Sequence, residues 1–178
     1  MGRFRRSRSQ QPAGLTLLSI VFCVLAFIFL IGAGVIFEQE ASTPGQEGIS
    51  NVFVLLWFGI FILLTLGAAL GLRLRKPWGW HFAAIFGFYW IIRTIDSFFY
   101  MPLAAEHLEV TGRLPARSID NPRALLMLNG LMLLYLYWPK TMQQLGVKGK
   151  RWQLTIGVLI AAALIMAMDQ LMTGGEEI

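Results

Sequence analysis

Five apolar runs separated by short polar segments dominate the pattern of the chain. They cover residues 15–37, 52–72, 78–100, 122–138 and 152–172. The first run contains no charged residue, and as a helix it would extend about 35 Å, enough to cross roughly 30 Å of bilayer hydrocarbon. The pattern therefore predicts an all-α fold, a polytopic transmembrane helix bundle of about five spans.

Composition supports a membrane protein and argues against a soluble one. Charged residues make up 14% of the chain, whereas soluble domains carry about 25%. The formal net charge of +5 comes from short basic clusters between the apolar runs. These clusters form no continuous basic face, so we expect the partners to be the lipid bilayer and other membrane subunits or a second copy, with no nucleic acid.

The basic residues also predict the orientation of the spans. If residues 1–14 form a basic cytoplasmic tail, eleven Lys and Arg residues lie on the cytoplasmic side and three on the outer side. Because cytoplasmic loops carry the excess of positive charge, this arrangement predicts a cytoplasmic N-terminus, a transmembrane domain over residues 15–172 and an acidic outer tail over residues 173–178. The alternative has four spans, if the first is cleaved or the short fourth does not cross. The cytoplasmic set is Arg3, Arg5, Arg6, Arg8, Arg73, Arg75, Lys76, Lys140, Lys148, Lys150 and Arg151.

The third run is less apolar than the others and has two distinct faces. Gly79, Ala83 and Gly87 recur at intervals of four residues, and such small-residue ridges allow helices to approach closely. The opposite side carries apolar residues, most of them large, which we expect to meet lipid. These are Ala84, Ile85, Phe88, Ile91, Ile92, Ile95, Phe98 and Phe99.

Polar residues within the runs form one candidate site in the outer half of the bilayer. Arg93 and Asp96 lie one helical turn apart, and intramembrane charges point to function by default. The alternative is that an ion pair only locks helices together. Asn129 is expected to bond across helices near the middle of the fourth run. The candidate polar site is Arg93, Asp96, Ser97, Asn129 and Asp169.

No residue pattern indicates catalysis, a cofactor or a metal. His81 and His107 are predicted on opposite sides of the membrane, so this chain cannot supply two histidine ligands to one haem. Cys23 is the single cysteine and lies within the first apolar run. A nucleophile paired with a base is also missing. We therefore predict no catalytic, cofactor-binding or metal-ligating residues.

A basic-tryptophan turn and a later motif resemble small bacterial multi-pass membrane proteins of unknown function. The turn is Arg75-Lys76-Pro77-Trp78-Gly79-Trp80, and the later motif is Leu128-Asn129, Tyr135-Leu136-Tyr137-Trp138-Pro139 and Leu145-Gly146. The resemblance covers residues 50–146 and implies a helical protein of the prokaryotic plasma (inner) membrane. It implies no activity, and the fifth span departs from the commoner four-span form.

Three functions follow as hypotheses. The first is a non-enzymatic accessory or scaffold subunit of a membrane complex, favoured by the few intramembrane polar groups and short loops. The second is a small oligomeric transporter or channel that uses the polar site, although the chain shows no paired repeats. An enzyme acting on lipid is the least favoured.

Overall fold

The computed structural model of the protein describes residues 13–41, 49–111 and 122–173, and the regular structure in these ranges is helical throughout. This confirms the all-α prediction. The helices are α1 (Ala13–Ala41), α2 (Ile49–Arg73), α3 (Pro77–Thr111), α4 (Pro122–Leu136), α5 (Pro139–Gln144) and α6 (Arg151–Thr173). Each of the five apolar runs falls within, or largely within, one of the long helices.

Among the described residues, three segments are long and apolar enough to cross a membrane, namely Ala13–Val35, Leu55–Arg73 and Arg151–Gln170. They lie in α1, α2 and α6, and they support integration into a membrane. Helix α4 is apolar but has 15 residues, a rise of about 22 Å. Helix α3 is long enough to cross a membrane, and Arg93 and Asp96 lie near the middle of its length.

Helix α3 continues further than the sequence pattern indicates. The third apolar run ends at residue 100, but the helix extends to Thr111. The stretch after Pro102 is rich in Leu, Ala and Glu, which are strong helix formers. The predicted basic tail before residue 13, the acidic tail after residue 173 and the charges at 112–121 lie outside the described residues.

Helix α3 is the centre of the bundle and contacts α2, α4 and α6, while α1 packs along α2. The predicted ridge of Gly79, Ala83 and Gly87 is buried. On the opposite side, which was expected to meet lipid, Ile85, Phe88, Ile91 and Ile92 are only partly buried against the core, while α3 contacts three other helices. Ala84 on that side is buried, whereas Ile95 is exposed.

Glycines set the closest helix crossing, between α2 and α3. A Cβ atom on either Gly71 or Gly79 would overlap the backbone of the other residue, so the two helices touch backbone to backbone. Gly67, one turn earlier, lies against the Phe82 ring. Gly67 and Gly71, four residues apart, therefore lie on the face of α2 that packs against α3. A Cβ atom on Gly157, by contrast, would meet open space among the described residues.

Trp80 joins the start of α3 to the end of α4. Its side chain is fully buried, and its indole Nε1–H donates a hydrogen bond of 2.9 Å to the Leu136 carbonyl oxygen. The sequence places Trp80 near a span end with the membrane-interface tryptophans, but this side chain belongs to the core. Trp138 and Trp152, by contrast, are largely exposed, as interface residues are.

Trp80→Phe is expected to lower the free energy of unfolding by about 2 kcal/mol, because the Leu136 carbonyl oxygen loses its indole donor in a buried setting. Thermal unfolding of the detergent-purified protein measures the change. Trp78→Phe, two residues earlier and partly exposed, serves as the control with a change below about 0.5 kcal/mol. Equal effects of the two changes would remove the special role of the hydrogen bond.

Candidate functional site

The structure brings three of the predicted polar residues together between α3 and α6. Arg93 Nη1 lies 3.3 Å from Asp169 Oδ2 and 3.8 Å from Asp96 Oδ2. The Arg93 and Asp169 side chains are only 12% and 8% exposed, whereas that of Asp96 is 33% exposed. The shorter and more buried pair thus links two helices, and the longer pair lies within one helix turn.

Helix geometry explains why these charges meet. Arg93 lies about 24 Å along α3 from Pro77, and Asp169 lies about 27 Å along α6 from Arg151. The starts of α3 and α6, from which these distances are measured, lie beside basic residues and are expected at the same membrane surface. The two side chains therefore reach the same depth in the bundle.

Tyr89 is a fourth member of the cluster, which the sequence analysis did not identify. Its buried hydroxyl donates a hydrogen bond of 3.2 Å to Asp169 Oδ2, the oxygen that also faces Arg93. Tyr89 precedes Arg93 by four residues and hence lies on the same helix face. The spacing of four residues from Arg93 could have pointed to Tyr89. The span contains so many aromatic residues, however, that one tyrosine does not stand out in the sequence.

In the part of the chain that the structure describes, three polar atoms near or within this region are buried without a hydrogen bond of regular geometry. They are Trp57 Nε1, Arg93 Nη1 and Ser97 Oγ. The Trp57 indole lies close to the Tyr89 hydroxyl, so α2 also contributes to the surroundings of the cluster. Ser97 follows Arg93 by one turn and is buried, as expected for that face. A buried polar group without a partner raises the free energy of the folded state unless water or a ligand satisfies it.

Asn129 belongs to a different part of the bundle. Its Nδ2 donates a hydrogen bond of 2.8 Å to the Leu125 carbonyl oxygen in its own helix, rather than across helices as expected. The amide N–H of an asparagine in a helix can donate to the carbonyl oxygen four residues earlier instead of to a neighbouring helix. The sequence alone does not show which of the two acceptors is used. The side chain lines a groove between α1, α3 and α4. Asn129 is therefore not part of the α3–α6 cluster.

The cluster has the chemistry of an internal ion pair. One guanidinium lies between two carboxylates, and the Tyr89 phenol donates a hydrogen bond to the more buried one, Asp169. Burying an unpaired charge is very unfavourable, so each partner holds the other in place and locks α3 to α6. Among the described residues, no group of three His, Cys, Asp or Glu side chains could hold a metal ion.

Comparison with known proteins gave no match to a family model, to a curated protein or to a solved structure.

Proposed function

We propose that the chain is a non-enzymatic accessory or scaffold subunit of a membrane complex in a prokaryotic plasma (inner) membrane. It crosses the bilayer five times, with its N-terminus in the cytoplasm and its C-terminus outside. Three features support the proposal: the topology, the charged groups that pair with each other inside the bundle, and several glycines on the surface of the bundle that have room for a side chain.

The arrangement of the helix ends supports this topology. The Trp80–Leu136 hydrogen bond joins the start of α3 to the end of α4, and the Tyr135 hydroxyl lies against Gly14 near the start of α1. The basic clusters of the α2–α3 turn and of the α4–α6 connection therefore share one end of the bundle with the start of α1. Positive charge at a common end is typical of the cytoplasmic side.

The main support for the scaffold proposal is a set of glycines on the surface of the bundle that have free space where a side chain would lie. A Cβ atom on Gly34, Gly59, Gly130 or Gly157 would meet nothing within 4 Å in the part of the chain that the structure describes. Each glycine weakens its helix by about 1 kcal/mol relative to alanine. Within the described residues, no internal packing compensates for this cost. In membranes, small residues allow a neighbouring helix to approach closely, so these positions suit contact with another subunit or a second copy.

The test is recovery of partners from native membranes. We expect the tagged chain to co-purify with a membrane protein in fixed proportion. Gly157→Leu and Gly130→Leu should reduce that recovery without lowering the melting temperature, since both sites have room for a side chain. Ile160→Leu, on the exposed face of α6, is the control. Recovery of the chain alone as a monomer would contradict the proposal.

A small oligomeric transporter or channel is the second candidate. The Trp57 indole and the Ser97 hydroxyl favour it, because neither makes a hydrogen bond of regular geometry within the described residues, and an anion or water beside Arg93 would provide one. Proteoliposomes loaded with chloride or phosphate test it directly. Flux that is present in the native chain and lost in Arg93→Met would favour this candidate, whereas equal leakage with and without the protein would exclude it for these anions.

A further inference from the structure

A cleft lies between the first turns of α3 and α6, at the end of the bundle where both helices begin. It is separate from the ion-pair cluster, because its first residue on α3 lies about 18 Å along that helix from Arg93. The four lining residues on α6 share one helix face, and a Cβ atom on Gly157 would meet nothing within 4 Å among the described residues. The lining residues are His81, Ile85, Gln153, Leu154, Gly157 and Val158.

The lining of the cleft changes from polar to apolar with depth. The two polar residues, His81 and Gln153, lie about 6 Å and 3 Å from the starts of α3 and α6. The apolar residues Ile85 and Val158 lie roughly 10–12 Å from the same starts. Trp152, next to Gln153, is 59% exposed, as tryptophans at a membrane interface are. The polar part of the cleft is therefore level with the lipid headgroups, and the apolar part is level with the hydrocarbon.

Positive charge lies beside the polar part of the cleft. Lys150 is exposed, and it precedes Gln153 by three residues and Gly157 by seven, so it belongs to the α6 face that lines the cleft. Its carbonyl oxygen accepts the N–H groups of Gln153 and Leu154 and so begins the first turn of α6. That turn contains no acidic residue, and the N–H groups of a helix start favour an anion.

These features together match an anionic phospholipid. The imidazole of His81 and the amide of Gln153 can both donate hydrogen bonds to a phosphate, and Lys150 supplies the countercharge. Below them, the space beside Gly157 is open and bounded by apolar side chains, as an acyl chain requires. Basic clefts between helices at the membrane surface are typical sites for lipid headgroups.

We propose that the cleft binds one anionic phospholipid, with its phosphate between His81, Gln153 and Lys150 and one acyl chain beside Gly157. The proposal rests on integration into a membrane. It does not rest on the scaffold function, because Gly157→Leu and Gly130→Leu should both reduce partner recovery, whereas only Gly157→Leu should reduce lipid retention.

Native mass spectrometry of the full-length chain tests the proposal. The protein is reconstituted in vesicles of equal parts phosphatidylglycerol, which is anionic, and phosphatidylethanolamine, which is zwitterionic. It is then extracted in mild detergent and examined for retained phospholipid. Gly157→Leu fills the apolar part of the cleft, and Gly130→Leu is its matched control, since Gly130 has the same free space but does not line the cleft.

A second pair of variants tests the phosphate contact and does not depend on whether Gly157→Leu folds. Lys150→Gln removes the cation beside the cleft, and Arg123→Gln, also at an exposed position, removes one at the start of α4. Trp80 joins the start of α3 to the end of α4, so Arg123 lies at the opposite end of the bundle. Thermal unfolding establishes that each variant is folded.

The native chain, Gly130→Leu and Arg123→Gln are expected to retain one phosphatidylglycerol in preference to phosphatidylethanolamine. Gly157→Leu should lose the retained lipid, and Lys150→Gln should lower the retained fraction roughly fivefold, as expected for one cation close to an anionic lipid. Equal retention within each pair of variants would overturn the proposal. Retention without preference between the two lipids would overturn it too, and so would a bound inorganic phosphate with no lipid.

Discussion

Replacing Gly79 by alanine is expected to destabilise the bundle by about 3 kcal/mol, the upper part of the usual range for overpacking. The added Cβ would overlap the Gly71 backbone, and a backbone cannot rotate away as a side chain can. Helices α2 and α3 must then separate, and α3 also carries the contacts to α4 and α6. Gly71→Ala should have the same effect, because it adds its methyl group at the same contact.

Gly59→Ala is the matched control, since Gly59 lies in α2 and its Cβ position meets nothing within 4 Å. It should leave the melting temperature unchanged or raise it, as alanine favours the helix. Detergent-solubilised protein, followed by thermal unfolding and size-exclusion chromatography, gives the comparison. A Gly79→Ala protein as stable as Gly59→Ala would show that the helices do not cross at this point.

Loss of Asp169 should produce the largest effect among the polar residues. Asp169→Leu leaves the Arg93 guanidinium buried, and among the described residues the more distant carboxylate of Asp96 is then its one partner. Breaking one side of a buried ion pair costs about 3–5 kcal/mol, because the remaining charge is unpaired. The same unfolding measurement in detergent reports the change.

The double change Arg93→Met with Asp169→Leu distinguishes a lock from a binding site. Replacing a buried pair by apolar residues is often nearly neutral, so the double variant should recover most of the lost stability. Asp96→Asn is the control on the same helix, at 3.8 Å and 33% exposed, with an expected change below about 1 kcal/mol. A double variant no more stable than Asp169→Leu would mean that the pair does not act as a lock.

Local periodicity was enough to predict the core of the third span. Gly79, Ala83 and Gly87 share a face by spacing alone, and Arg93 follows on nearly the same side. The depth of Asp169 followed from counting residues along a predicted span. These features depend on one helix at a time, which explains why the sequence alone reveals them.

Features that depend on which helices are neighbours could not be predicted in this way. The opposite side of α3 was expected to meet lipid, yet α3 has three helical neighbours. The Tyr89 contact with Asp169 and the nearby Trp57 indole require α2, α3 and α6 to meet at one point. Likewise, the Asn129 amide donates to a carbonyl oxygen in its own helix. The residue types do not distinguish this hydrogen bond from one to a neighbouring helix.

The proposed topology has five crossings, with the N-terminus in the cytoplasm and the C-terminus outside. Labelling of single cysteines in the full-length chain tests this topology most directly. The native Cys23 is first removed by Cys23→Ser, and then either Lys148→Cys or Glu177→Cys is introduced. With a membrane-impermeant maleimide on intact cells, we expect Glu177→Cys to react and Lys148→Cys to react only after permeabilisation. Glu177→Cys that stays unlabelled until the cells are permeabilised would place both positions in the cytoplasm and contradict the five-span topology.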